Sequence, residues 1–377
     1  MPIAVPRIAH AAAARIAAAT GGGVCLDGPA LLGERAAIAQ FARGGDLSCG
    51  RATRLLRASD GWVSLSVARP DDVEMLPAWL DGVALPGDPD ELWAALADVV
   101  RRRGAMELVA RAAMLGLPCS RLGETVATGR DDAVIACRRP GRSQPSRWSD
   151  LVVVDLSSLW AGPLCAHVLG LAGARVVKIE SAQRPDGARH GPAPFFDLMH
   201  GGHESVVVDF TNDAELAMLG ELLRRADVVI EASRPRALLH LGVDAARIEG
   251  PRVWLRITGH GHTGGAADRV AFGDDAAVAG GLVSVAGDGS PCFCADAVAD
   301  PLTGLVAAAE VLERIAGGGH WLLDVALART AATVMAAGSA TTMLGQCAVA
   351  APRARQPAVP ARPLGADTDA VLGAVKG

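Results

Sequence analysis

The chain has 377 residues, enough for two domains, and half of them are hydrophobic, so a large core can be buried. Its 36 basic and 41 acidic residues are well mixed and leave a net charge of −5, which argues against nucleic acid as the main partner. Tyrosine is absent, which removes any tyrosine base or nucleophile.

The opening "MPIAVPRIAHAAAARIAAAT" is apolar but broken by Arg7, His10 and Arg15; it reads as an amphipathic helix, not a signal peptide. Apolar residues recur at helical spacing over 30–42 and 90–113. Between them "LLRASDGWVSLSVA" reads as strand, Asp-Gly turn and strand, with Trp62, Ser64 and Ser66 alternating with Val63, Leu65 and Val67. A polar Arg/Ser/Pro stretch, "RRPGRSQPSRWSD", then breaks the pattern. These features give a smaller mixed α/β domain over 1–137, a linker over 138–150 and a larger domain over 151–377.

The larger domain alternates strand and helix, with strands expected at 152–156, 175–180, 205–210, 227–231, 252–258 and 321–327. Short β-branched runs of this kind suit strands buried on both faces. The fold class is α/β: a doubly wound, parallel, Rossmann-like sheet, whose ligands lie beyond the carboxyl ends of the strands. The apolar run 156–174 is long enough to raise a membrane span, but Ser157, Ser158, Gly162, Pro163 and His167 make it a strand end, turn and helix. In "DAELAMLGELLRRA" Asp213 is the expected helix cap. The Pro/Ala-rich 348–363 reads as extended, and "DTDAVLGAV" as a closing helix.

Several motifs carry chemistry. "GHGHTG" at 259–264 matches a dinucleotide fingerprint but is followed by a loop and sits on the fifth strand, which argues against nicotinamide binding. His200, His203, His260 and His262 are expected as solvated loop histidines, with no third donor for a metal. Cys292 and Cys294 lack a second Cys or His pair for zinc, so the eight cysteines read as reduced thiols of a cytoplasmic protein. No G-x-S-x-G elbow is present. Arg184, Arg189, Arg234 and Arg236 follow strands and Lys178 lies inside one; they are surface charge by pattern, and an anion site if they converge. "CADAVADPLTG" at 294–304 places two aspartates four apart. Asp300 before Pro301 reads as an N-cap. A helix start also favours the ionised carboxylate that covalent catalysis by aspartate needs. Ala295, Ala297, Ala299, Thr303 and Gly304 leave room beside it.

An ordered set of segments then carries a resemblance. "VVVDLSSLWAGPLCAHVLGLAGARVVKIE", "SVVVDF", "ADVVIEASRPRALLHLGV", "VWLRITGHGHTGGAADR", "ADPLTGLVAAAEVLERIAGGGHWLLDVAL" and "RPLGADTDAVLGAV" resemble, in order, the class III CoA-transferases (the CaiB/BaiF-like family). "TRLLRASDGWVSLSVARPDDVEMLPAWL" resembles that family's small domain, here placed before the large one, as in a circular permutant or the later part of a duplicated ancestor. The resemblance implies an acyl-CoA:carboxylic acid CoA-transferase with Asp300 as nucleophile, working through an aspartyl acyl-anhydride and an aspartyl-CoA thioester. It implies coenzyme A or acyl-CoA as substrate and no tightly bound cofactor or metal. CoA would lie against Leu159, Trp160, Lys178, Arg189, Val208, Ala232, Ser233 and Arg234, with His240 in place of a basic phosphate contact. It also implies a homodimer, interlocked in the family, and no nucleic-acid or membrane partner. Glu204 and Ser181 stand where the family carries cations. Two rivals stay open: an α-methylacyl-CoA racemase, although "AFGDDAAVAGG" (271–281) lacks that enzyme's His and His260 or His262 would have to substitute, and a catalytically silent CoA-binding homologue.

Overall fold

The computed structural model describes residues 2–127, 129, 133–141, 147–338 and 350–375. Helix α1 (Ala4–Ala19) buries Val5, Ala9, Ala12 and Ile16, an apolar stripe at helical spacing. The helix expected over 30–42 divides into α2 (Gly28–Leu31) and α3 (Glu34–Ala39). Gly33 lies at the break, where Pro352 would stand 3.1 Å from an added Cβ.

A small unit follows. Strands β1 (Thr53–Ala58) and β2 (Gly61–Ser66) form the expected hairpin, with Ala58 opposite Gly61. The turn is therefore Ser59-Asp60, one residue earlier than the Asp-Gly pair. Helices α4 (Pro70–Trp79), α5 (Pro89–Val100) and α6 (Ala105–Leu115) and strand β3 (Cys119–Arg121) complete it. The helix expected over 90–113 is two helices, because the chain turns at Gly104 and Asp60 Oδ1 accepts the Ala105 N–H at 2.7 Å. The order β1-β2-β3 places Val63 and Leu65 over Leu76, Trp79, Leu96 and Leu108.

Strand β4 (Val134–Arg139) leads to β5 (Val152–Asp155), α7 (Ala161–Leu171), β6 (Arg175–Glu180), α8 (Ala193–His200) and β7 (Glu204–Val207). Then come α9 (Asp213–Arg225), β8 (Val228–Glu231), α10 (Pro235–His240), β9 (Val253–Thr258) and α11 (Gly273–Ala279). A two-residue ladder, β10 (Ser284–Val285) with β11 (Pro291–Cys292), precedes α12 (Ala299–Gly317). Strand β12 (His320–Ala326), α13 (Leu327–Ala336) and α14 (Thr368–Gly373) close the chain. The seven-stranded sheet runs β4-β12-β9-β8-β5-β6-β7, parallel except for β4. Alternate residues serve opposite layers, as the two-residue period of a strand dictates. Val153, Val176 and Val228 join the core with α1, α7, α12 and α13; Val154, Val177 and Val229 face α9 and α14. This is the doubly wound α/β sheet with a smaller mixed unit.

The packing runs across the expected boundary at 137. Helix α1 lies on the large core, since its stripe meets the wide apolar surface of α12. Arg138 and Arg139, at the start of the expected linker, pair with Trp321 and His320 in the sheet. Residues 142–146 of that linker and 348–349 of the extended tail lie outside the described residues. Two caps differ from expectation. Asn212, not Asp213, caps α9, its Oδ1 accepting from the Ala214 N–H at 3.0 Å. Asp300 is not the N-cap of α12: the helix begins at Ala299, and the flanking Val298 makes no side-chain bond. Among the described residues no helix is long and apolar enough to cross a membrane.

Candidate functional site

Because α12 starts two residues earlier than expected, Asp300 sits inside its first turn with its carboxyl free of the capping role. The carboxyl lies against the backbone of Gly273, whose N–H faces it. An alanine Cβ at Gly273 would fall 2.6 Å from Asp300 Oδ2 and clash with the Ala297 carbonyl, so only glycine fits there. Asp300 keeps part of its surface accessible. Burial nevertheless pushes its pKa up to about 7, against the pull of Arg35 and with help from Asp296. Asp300 thus sits near the balance of acid and carboxylate at neutral pH.

The neighbouring turn is strained. Ala297 has φ +41°, in the left-handed region a non-glycine residue rarely adopts. Asp274 holds it there, its Oδ1 accepting the Ala297 N–H at 3.0 Å. Burial, then Asp296, pushes Asp274 up to about 7 as well. Next on α11, Asp275 accepts from Phe272 N at 2.8 Å and Ser66 Oγ at 3.1 Å, tying the small unit to the site. Arg35 arrives from α3, its Nε and Nη2 on the two Asp296 oxygens at 2.8 and 2.5 Å, with its guanidinium 5.1 Å from the Trp160 ring. Beside this pair opens a cavity of about 870 Å³, walled by Leu32, Ala36, Phe41, Phe293 and Cys294 and bordered by Asp296.

The expected CoA contacts divide into two groups. Leu159 follows the carboxyl end of β5, Ala232, Ser233 and Arg234 follow that of β8, His240 ends α10, and all keep accessible surface. Leu159 is 39% exposed at φ +72°. The other side chains are committed elsewhere. Trp160 is 1% exposed and packs edge-on against Phe195 at 5.2 Å. Lys178 is 1% exposed; its ammonium donates to the Ser157 carbonyl and to Asp186 Oδ2 at 2.9 Å. Asp186 Oδ1 in turn accepts the Leu159 N–H at 2.9 Å, so Lys178 acts on the edge through Asp186. Arg189 forks onto Glu180 at 2.8 and 2.6 Å and covers Phe196 at 4.3 Å. Val208 is buried in the second core layer. Arg236 pairs with Asp268, while Arg184 is exposed. The two departures have structural reasons: Glu204 is at the amino end of β7, forked by Arg175 at 3.0 and 2.7 Å, and Ser181 bonds Gln183 at 2.7 Å.

The histidines are not solvated loops. His200 and His203 are buried beside Lys178, and His200 stacks on Phe196 at 4.4 Å. Burial drives His200 well down and His203 to about 4, so both stay neutral. Burial also takes half-buried His260 down to about 3, and lowers His262. The 259–264 loop closes on itself, Gly261 N donating to Thr258 Oγ1 at 3.0 Å, and no helix starts before Gly273; the dinucleotide context is absent. Cys292 and Cys294 are free thiols, and no three metal-ligating side chains converge among the described residues.

Sequence reasoning missed Arg35, Asp186, Gly273, Asp274 and Asp296 as neighbours of these sites. "GDD" and the Asp296/Asp300 spacing were visible signals; nothing local marks Arg35.

The model of CoA-transferase family III matches residues 148–364, more than half of the chain. A succinate–glutarate CoA-transferase of Agrobacterium fabrum is 30% identical over 219 residues, covering 52% of this chain and 54% of that protein. The α-methylacyl-CoA racemase of Homo sapiens is 36% identical over 115 residues, 30% of this chain and 28% of that one. A solved CaiB/BaiF family protein from Brucella suis is 30% identical with a TM-score of 0.46, covering 52% and 56% of the two chains. The chain spans about half the length of the curated relatives it matches. With its sheet, its segment order and the family match over the same residues, the chain belongs to CoA-transferase family III.

Proposed function

We propose that the protein transfers CoA from an acyl-CoA thioester to a carboxylic acid, with Asp300 as the nucleophile. The Asp300 carboxylate attacks the thioester carbonyl, breaking the C–S bond to give a mixed anhydride and CoA thiolate. The thiolate attacks the aspartyl carbonyl, releasing the first acid and leaving an aspartyl-CoA thioester. An acceptor carboxylate attacks that thioester, the thiolate leaves again, and its return to the acceptor carbonyl regenerates Asp300. One thioester replaces another throughout.

The carrying observation is the Asp300 carboxyl itself. It is uncommitted to its own helix, partly accessible, and set against a glycine N–H suited to a developing oxyanion. Leu159, Arg234 and His240 on the sheet edge offer the CoA surface, and the apolar cavity bordered by Asp296 offers volume for the acyl group. Trapping tests the reading: acyl-CoA plus hydroxylamine yields a hydroxamate at Asp300, and an unmodified peptide sinks it. Asp274 carries a second reading, α-proton exchange on a 2-methylacyl-CoA, because this second buried acid with pKa about 7 stands beside Asp300. Deuterium uptake from heavy water without CoA transfer would select it.

A further inference from the structure

We propose that Arg35 is a positioning residue for the nucleophile: carried into the site by α3 and forked onto Asp296, it supplies the positive charge that favours the carboxylate form of Asp300 beside two other buried acids. This rests on the transferase reading of Asp300 and adds to it a residue from the opposite end of the chain.

The guanidinium is fixed on three sides. Both Asp296 oxygens receive it in a two-bond fork at 2.8 and 2.5 Å, Trp160 lies 5.1 Å beneath it, and Phe41 stands 5.9 Å away. Its neighbour Glu34 does not compete, being forked by Arg355 at 2.7 and 3.0 Å. Asp300 feels the charges of Arg35 from α3, Asp296 from the preceding turn and Asp274 from α11, and its carboxyl lies against Gly273. The thiols of Cys49 and Cys294 border the same cluster and stay neutral, burial pushing them up to about 11 and 12. Among the described residues, Arg35 is the cation acting on both Asp274 and Asp300.

Three carboxylates cannot all ionise in a dehydrated pocket without a counter-charge. A protonated Asp300 has no free carboxylate to attack a thioester. The fork on Asp296 alone would satisfy Arg35 as a structural residue, yet the same placement brings its charge to bear on Asp300.

The test uses the full chain labelled with [4-13C]aspartate, and the signal missing in Asp300→Asn assigns the Asp300 carboxyl. Arg35→Met moves its titration up by about one pH unit or more, and Asp296→Asn moves it down. Arg35→Lys, which keeps the charge, leaves it near wild type. The acid limb of acyl-CoA-dependent hydroxamate formation follows the same order. Equal shifts of one sign in Arg35→Met and Asp296→Asn, or no shift in a folded Arg35→Met, would overturn the inference. Should Arg35→Met lose its cooperative melt, the downward shift in Asp296→Asn and its absence in Arg35→Lys decide instead. Titrations that move as stated without hydroxamate in any protein defeat the transferase reading and leave the Arg35 assignment standing. Hydroxamate with an unmoved acid limb does the reverse.

Discussion

Gly273→Ala probes the site with a single methyl group. The new Cβ would lie 2.6 Å from Asp300 Oδ2 and 2.8 Å from Asp300 Cγ, while ordinary contact begins at 3.4 Å. The carboxyl must retreat by about 0.8 Å, or α11 and the 296–298 turn must part. Neither is easy, since Asp274 on α11 holds the Ala297 N–H at 3.0 Å. Overpacking of this kind costs about 1–3 kcal/mol of stability. A reacting group misplaced by about 1 Å loses roughly a hundredfold in rate. Denaturant melts read the first quantity, and hydroxamate yield at Asp300, by peptide mass spectrometry, reads the second. Gly317→Ala is the control, because nothing lies within 4 Å of its new Cβ at the end of α12. A Gly273→Ala protein with hydroxamate yield within twofold of wild type would refute the close approach of Gly273 and Asp300 as a condition of catalysis.

Asp300→Asn abolishes hydroxamate formation with the fold retained. The folded pKa of Asp300, about 7, exceeds its ordinary value of 3.8, so the native state binds the extra proton and wild-type stability falls as pH rises between them. The asparagine variant escapes that loss and is more stable than wild type above pH 7, by up to about 4 kcal/mol; identical pH–stability curves would count against a buried carboxyl. Lys178→Met leaves Asp155 and Asp186 buried without their cation and costs about 3–5 kcal/mol, whereas Arg236→Ala, which breaks an exposed pair, costs under about 1 kcal/mol in the same melts. Arg234→Ala, on the accessible edge after β8, weakens CoA binding about tenfold by calorimetry and flattens its salt dependence; unchanged affinity would move CoA off that edge.

The sheet was legible because buried strands and their intervening helices write themselves locally. Runs such as 152–156 and 175–180 carry their own period, and the observed strands stop within a few residues of expectation. Ends were less legible where a distant group decides them. Asp60 sets the start of α6, and Asp274 holds the turn that lets α12 begin at Ala299. Asp300 could be singled out from its place before Pro301. Lys178, Arg189 and the histidines were misplaced for one reason: a sequence shows that a polar group exists, not which buried partner claims it. Glu180 claims Arg189, Asp186 claims Lys178, and the packing of α8 claims His200.

The two edges of the candidate site obey one physical rule. Each contains a non-glycine residue held at positive φ, Leu159 at +72° and Ala297 at +41°, and in each a buried aspartate accepts that residue's N–H. A buried aspartate is costly unless a cation accompanies it. Lys178 accompanies Asp186, and Arg35 accompanies Asp296 and faces Asp274. The difference between the edges lies in what remains unspent. Around Lys178 two carboxylates share the one ammonium, and Asp186 divides its oxygens among Lys178 and two backbone N–H groups. Around Arg35 the guanidinium is forked onto Asp296, Asp274 is tied to the turn, and Asp300 is left over. Of these three acids, Asp300 is the one tied neither to Arg35 nor to the turn by a hydrogen bond, and the proposed reactivity is placed there for that reason.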